Sequence, residues 1–324
     1  MMLEWASFRS SVPVSETTGQ IGGEMPTTVA RPRPGISLAL GGGAARGWAH
    51  IGVLRALDEA GIEISMIAGT SIGALVGGCY LAGKLDALEE FARSLSRRRI
   101  LTWLDLRFGG SGLFGGMKLN ARMQEHMHGM RFEDLQKPFV CVATEIRTGH
   151  EVWLTGGSLI DAMRASYALP GVFEPVTCNG RVLVDGALVN PVPVSVLRAY
   201  EQQAVVAVNL HYELFGRSAV IKHNAGDSEA NRLATPLTED EIVPTRHMRL
   251  GVTGAMVEAF NIIQDRIARA RLAGDPPDMS LTPRLSHIGL SEFHRADEAI
   301  KIGYDSTKTR LEELQRLQKV AAAT

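Results

Sequence analysis

Gly69-Thr-Ser-Ile-Gly73 has the Gly-x-Ser-x-Gly form of a nucleophile elbow, and its flanks are those such an elbow needs. An apolar run, Ile64 to Ala68, leads into it, and a small-residue run, Ala74 to Ala82, follows. A strand turning into a helix at Ser71 leaves the hydroxyl at a helix N-terminus, where unpaired N–H groups and the dipole favour developing negative charge. The glycines on either side allow strand and helix to approach closely. A serine hydroxyl is a poor nucleophile at neutral pH, so a base must stand nearby. Without Gly69 and Gly73, Ser71 would read as a helix N-cap; between them it reads as a nucleophile.

Two further pieces could complete that chemistry. Gly41-Gly-Gly-Ala-Ala-Arg-Gly47 lies between a strand and a helix and offers several backbone N–H groups to a phosphate or an oxyanion. Counted from Gly41, the sixth residue is Arg46, so the dinucleotide fingerprint Gly-x-Gly-x-x-Gly fails. A P-loop fails too, because no Gly-Lys-Ser/Thr follows. The loop alone is equally a tight turn with no ligand. Asp185-Gly-Ala187 closes a short strand, Arg181 to Val184. In isolation Asp-Gly is a turn signal. Beside an oxyanion loop and a serine elbow, a carboxylate at a strand end stands where α/β sheets place ligands, and could take the serine proton.

The elements that position these residues alternate. Ile36 to Leu40 is a strand, and a helix with Ile51, Leu54 and Leu57 on one face ends at Gly61. Ile64 to Ala68 is the next strand, and Leu85 to Leu95 a further helix. This rhythm implies a parallel sheet with right-handed crossovers. Phe139 to Ile146 is a strand that Glu151 to Leu154 can pair with. Ser158 caps a helix reaching Tyr167. Glu174 to Cys178 and Arg181 to Val184 flank Asn179-Gly180, a hairpin turn. Ala204 to Leu210 is a buried strand. Beyond it come an irregular segment, His211 to Pro244, a helix, Met256 to Ala273, an edge strand, Met279 to Leu285, limited by Pro283, and a helical region, Ala296 to Leu317. The expected division is a flexible arm over 1–34, a catalytic core over 35–210, and an extension over 211–324 that packs on the core.

Composition narrows the function. The 324 residues carry a net charge of -1, which implies no strong field for nucleic acid. Cys79, Cys141 and Cys178 lack metal-type spacing and read as buried free thiols of a reducing compartment. No stretch is long enough to span a bilayer, and the first thirty residues do not form a secretory signal. The expectation is a cytoplasmic protein, with peripheral membrane contact left open. Arg97-Arg-Arg99 reads as a solvated helix end. The loop from Phe108 to Gly116, with Leu113 and Phe114, either borders a substrate entrance or is a flexible connection; Leu101 to Leu106 and Leu113-Phe114 read as contacts with a lipid surface or, for most of them, as buried core.

Taken together, Gly42-Gly43…Arg46-Gly47, Gly69-Thr-Ser-Ile-Gly73 and Asp185-Gly-Ala187 resemble, in order and spacing, the patatin-like phospholipases. The strings Ala45-Arg-Gly-Trp-Ala-His-Ile-Gly-Val-Leu54 and Asp185-Gly-Ala-Leu-Val-Asn-Pro-Val-Pro193 are similar to the bacterial branch related to neuropathy target esterase. The resemblance covers about Ile36 to Leu210, with a fainter echo at Asp278 to Gly303. It implies an α/β three-layer sandwich with a mostly parallel central sheet and helices on both faces. It also implies hydrolysis of lipid acyl esters by a Ser–Asp dyad without cofactor or metal. Ser71 matches the nucleophile and Asp185 the base. The amides around Gly42, Gly43 and Ala44 match the oxyanion hole, with Arg46 closing the loop. Gly41, Gly47, Gly69, Gly73 and Gly186 support these motifs. Many members have a third glycine where Ala44 stands, and alanine tolerates positive φ poorly.

The substrate implied is a phospholipid, lysophospholipid or neutral lipid; the oligomeric state stays open. An ordinary aspartate, with a pKa of about 3.9, is a weak base for a hydroxyl, so burial must raise it or proton transfer must be concerted with attack. Two other readings stand. His211, His247, His287 and His294 follow Asp185, so chain order permits a Ser–Asp–His esterase; His50 reads as a packed, hydrogen-bonded residue. A regulatory protein could also keep this fold without turning over substrate.

Overall fold

A computed structural model describes residues 35–96, 117–211 and 252–323. The arm 1–34, the 97–99 triplet, residues 101–116, His247 and the segment 212–244 lie outside them. The sheet begins with β1 (Ile36–Leu40), β2 (Ile64–Thr70) and β3 (Phe139–Glu145), and β4 (Glu151–Leu154) follows. It continues with β5 (Val176–Cys178), β6 (Arg181–Asp185), β7 (Val205–Val208) and β8 (Met279–Leu281). The order is β5-β6-β3-β2-β1-β7-β8, and β4 pairs with β3. β8, β7, β1, β2 and β3 are mutually parallel, while β4, β5 and β6 pair antiparallel. The α/β fold and mostly parallel sheet are therefore as expected.

Helices cover both faces, because the parallel strands are apolar on both. Along β1, Leu38 and Leu40 join one apolar cluster and Ala39 the other; along β7, Val206 and Val208 take the first face and Val205 and Ala207 the second. Strands buried on both sides need a helical layer on each. The first layer holds α1 (Ala49–Glu59), α2 (Ile72–Leu81), α3 (Leu85–Ser94), α4 (Met117–Met127) and α5 (Leu159–Ser166). The second holds α6 (Val194–Ala199) and α7 (Val252–Gly274), the latter through Ala268. The chain returns to the first layer with α8 (Ala296–Lys308) and α9 (Leu311–Ala323). α8 lies against α1 at backbone contact: a Cβ on Gly52 would come 1.9 Å from the Ile300 carbonyl, and one on Gly303 2.0 Å from that of Ala49.

Some details depart from expectation. The C-terminal helical region is two helices: Arg310 N–H bonds to the Thr307 carbonyl, three residues back, and this tighter turn breaks the run. The edge strand stops at Leu281, two residues before Pro283, and runs parallel to β7. Cys79 and Cys141 are buried, but Cys178 is half-buried on the short outer strand β5. Asn179 and Gly180 both have positive φ, 49° and 75°, as a tight two-residue hairpin requires.

One feature of the sheet assembles the site. β4 occupies one edge of β3 from Cys141 to Thr144. The opposite edge is shared by two strands meeting end to end. β2, running parallel, pairs up to Thr70 opposite Val142, and β6, running antiparallel, ends with Asp185 opposite Ala143. The residue after β2 and the last residue of β6 thus arrive at one place, although 114 positions separate them in the chain.

Candidate active site

Ser71 sits at the β2–α2 junction with φ 56° and ψ -124°, an uncommon conformation for a residue with a side chain. Close packing holds it there. A Cβ on Gly73 would lie 2.1 Å from the Leu40 carbonyl oxygen, and one on Gly186 2.2 Å from that of Val142. Gly69 faces Ala74, and Gly47 packs on the Ile72 side chain. Ser71 N–H donates to Ser166 Oγ (2.9 Å), and that hydroxyl donates to the Val142 carbonyl (2.6 Å), at the step of β3 where β2 and β6 meet. Thr70 Oγ1 donates to the Asn190 carbonyl at 2.8 Å.

Ser71 Oγ donates to Asp185 Oδ2 at 2.7 Å. Asp185 Oδ1 accepts the Ala187 N–H at 2.8 Å, so both carboxylate oxygens are engaged. The carboxyl is almost wholly buried, at 2% exposure. Burial raises its pKa to about 7, and the hydrogen bonds from Ala187 and Ser71 only partly oppose that rise. Near neutrality it is therefore balanced between a carboxylate that can accept a proton and an acid that can return one.

The glycine loop lies against this pair. A point one Cβ bond from Gly42 is 3.3 Å from Ala187 Cβ and 3.5 Å from Ser71 Cβ. Four loop amides are spent on the fold: Gly41 N–H donates to Val208, Gly42 to Pro191, Ala45 to Leu290 and Arg46 to Gly43. Gly43 and Ala44 are the loop amides left without a partner among the described residues. Ala44 has φ 47°, a left-handed conformation that a glycine would adopt at lower cost. The Arg46 side chain turns to the C-terminal part of the chain, donating to the Ile288 carbonyl at 2.7 Å and to Asn261 Oδ1 at 3.4 Å. Burial lowers its pKa to about 10, so it stays charged.

No histidine bonds to Ser71 or Asp185 among the described residues. His50 is fully buried and its Nε2–H donates to the Gly41 carbonyl at 2.8 Å; burial lowers its pKa to about 4, which keeps it neutral. His211 is buried with neither ring nitrogen hydrogen-bonded among the described residues, and burial lowers its pKa to about 3. His287 pairs with Glu298 at the surface.

Ser166, Asn190 and Gln264 stand at or beside the site and escape sequence reasoning. The first is one more serine in an amphipathic helix. Asn190 has only the short string after Asp185 to mark it. Gln264 lies 79 positions beyond Asp185 and has no local signature. Asn261, Gln264 and Asp265 are all buried, yet the same helix also carries Glu258, Arg266, Arg269 and Arg271, so its polar residues do not single out a face in the sequence.

A family model described as patatin-like phospholipase matches residues 38–198. An uncharacterized NTE family protein of Mycobacterium tuberculosis is 31% identical, over 83% of this chain and 89% of that one. This chain belongs to the patatin-like phospholipases. Within that family it falls with the NTE group, and it is a lipid acyl hydrolase. Lysophospholipase NTE1 of Pyricularia oryzae is 29% identical over 89% of this chain, which spans only 19% of that much longer protein. Among solved structures, VipD from Legionella pneumophila aligns with a TM-score of 0.49 at 13% identity, covering 87% of this chain and 67% of that one. Among the described residues no helix is long and apolar enough to cross a membrane.

Proposed function

We propose that this patatin-like hydrolase cleaves lipid acyl esters through Ser71 and Asp185 alone. The observation that carries the reading is the direct 2.7 Å hydrogen bond from the Ser71 hydroxyl to the Asp185 carboxylate. Ser71 Oγ attacks the ester carbonyl carbon as its proton passes to Asp185 Oδ2. The Gly43 and Ala44 amides receive the oxyanion, with the α2 N-terminus behind it. Collapse expels the alcohol, which takes the proton from Asp185 and leaves an acyl-Ser71 ester. Water, deprotonated in turn by Asp185, releases the acid. The substrates are phospholipid, lysophospholipid or neutral lipid, and a lysophospholipid is favoured by the name of the Pyricularia relative. Peripheral contact with a lipid surface belongs to the same reading.

The test compares the native chain with Ser71→Ala and Asp185→Asn on vesicles or micelles of each lipid class, with a fluorophosphonate as active-site label. Both variants should stay folded and lose about a thousandfold or more in turnover. The label should add to Ser71 and to no site in Ser71→Ala. Turnover retained in Asp185→Asn would assign the base elsewhere. A folded native chain that takes no label would favour a non-catalytic regulator.

A further inference from the structure

Acylation leaves Gln264, a buried polar group at the site, without a part. Gln264 of α7 is 4% exposed, and its Oε1 is wholly buried with no hydrogen-bond partner among the described residues. That oxygen lies 3.4 Å from the point above Gly42 that Ser71 Cβ and Ala187 Cβ also approach. The helix carrying it packs on the turn Gly186–Leu188, immediately after Asp185. The amide therefore faces the cradle from the side of the base. Its neighbours on the inner face of α7 are engaged: Asn261 accepts from Arg46, and Asp265 holds Arg269. A buried acceptor with nothing to accept is costly, and it marks the place of a donor that arrives with the reaction.

We propose that Gln264 holds the hydrolytic water of the second half-reaction, an inference that rests on the Ser71–Asp185 reading. The donor cannot be the oxyanion, which only accepts, or the acyl chain, which is apolar. The leaving alcohol departs when acylation ends, whereas water enters for deacylation and brings two O–H groups, one for each acceptor. One O–H of the attacking water points at Asp185 Oδ2 and the other at Gln264 Oε1, so two fixed acceptors orient its lone pair on the acyl carbon. The water oxygen bonds to that carbon and its first proton goes to Asp185. The bond from carbon to Ser71 Oγ then breaks, and Asp185 returns the proton to the serine. The second hydrogen stays on the released carboxylic acid. Gln264 is thus a catalytic residue for deacylation and has no role in acylation.

Methanol as a competing acceptor separates the two roles, because its single O–H needs Asp185 and not Gln264. With a p-nitrophenyl ester of a medium-chain fatty acid as acyl donor, Gln264→Leu should keep the pre-steady-state burst of p-nitrophenol within about threefold of native. Steady-state hydrolysis should fall by about 10- to 100-fold. The ratio of methyl ester to free acid should rise by the same factor. A ratio unchanged from native overturns the assignment, as does a burst that falls together with the steady state. The ratio is internal to each active molecule, so partial misfolding does not move it, and Gln264→Met, unbranched and of similar length, supplies a second variant. Ser71→Ala run alongside keeps the two readings apart. Its turnover would refute the dyad; its silence with an unchanged product ratio would refute Gln264 alone.

Discussion

Asp185 is a buried acid whose folded-state pKa, about 7, lies well above its ordinary value of 3.8. The native chain therefore holds this proton more tightly than the unfolded chain does. Below the ordinary value both states are protonated, and the group contributes nothing that varies with pH. Between the two values the unfolded chain has released the proton and the native chain has not, so stability falls as pH rises. Above the folded value both are ionised, and the loss is complete. About three units at 1.36 kcal/mol each make it about 4 kcal/mol; at 2% exposure no discount for solvent is due. Asp185→Asn removes the titration while keeping an oxygen for the Ala187 amide and an NH2 facing Ser71. Urea unfolding of both proteins from about pH 4 to about pH 8 should show the variant gaining on the native chain by about 4 kcal/mol across the range. Other titrations cancel in the difference. Parallel curves would refute the raised pKa and would mean that the hydrogen bonds from Ser71 and Ala187 offset burial.

The same acid should give kcat/KM a rising limb near pH 7. Its position should barely move with temperature, because a carboxyl ionises with little heat; a limb that drops markedly on warming would instead indicate an imidazole. Ser71→Gly should be more stable than Ser71→Ala by about 1–2 kcal/mol in urea unfolding, since both lose the hydroxyl and only glycine relieves the positive φ. Equal stabilities would mean that the bend stores no strain. Gly73→Ala should cost more than about 3 kcal/mol or prevent folding, because its Cβ meets the Leu40 carbonyl of the central strand. A variant with native unfolding would refute the contact.

What the sequence made legible was what neighbouring residues encode. Gly69 to Gly73 announces the elbow, Asn179-Gly180 the hairpin, and Ser158 a helix start, its hydroxyl accepting the Asp161 amide at 3.3 Å. The pairing of Ser71 with Asp185 is of another kind. No local pattern joins them; only the family resemblance does so in the sequence, and in the fold β3 brings their strands together. Nor could spacing reveal that the Gly42 amide is taken by Pro191 while those of Gly43 and Ala44 have no partner among the described residues, since that depends on how a distant turn folds back. α4 has a weak apolar stripe and α6 is only six residues long, so neither stands out in the chain. Gln264 was illegible for a related reason. A single amide on a surface-seeming helix acquires meaning only from what it covers.

The glycine-lined crossing of α1 and α8 limits how this chain can be shortened. A fragment ending at residue 198 would retain Ser71, Asp185 and every loop amide. It would also lose β7, leaving β1 as a bare strand flank, and it would uncover the shallow trough at Gly52 into which a later helix fits. Unsheathed in this way, the fragment would recruit other copies of itself along that flank before it met any ester. Anyone trimming the gene for crystallography or screening should cut beyond α8 and not at the margin of the recognisable motif block.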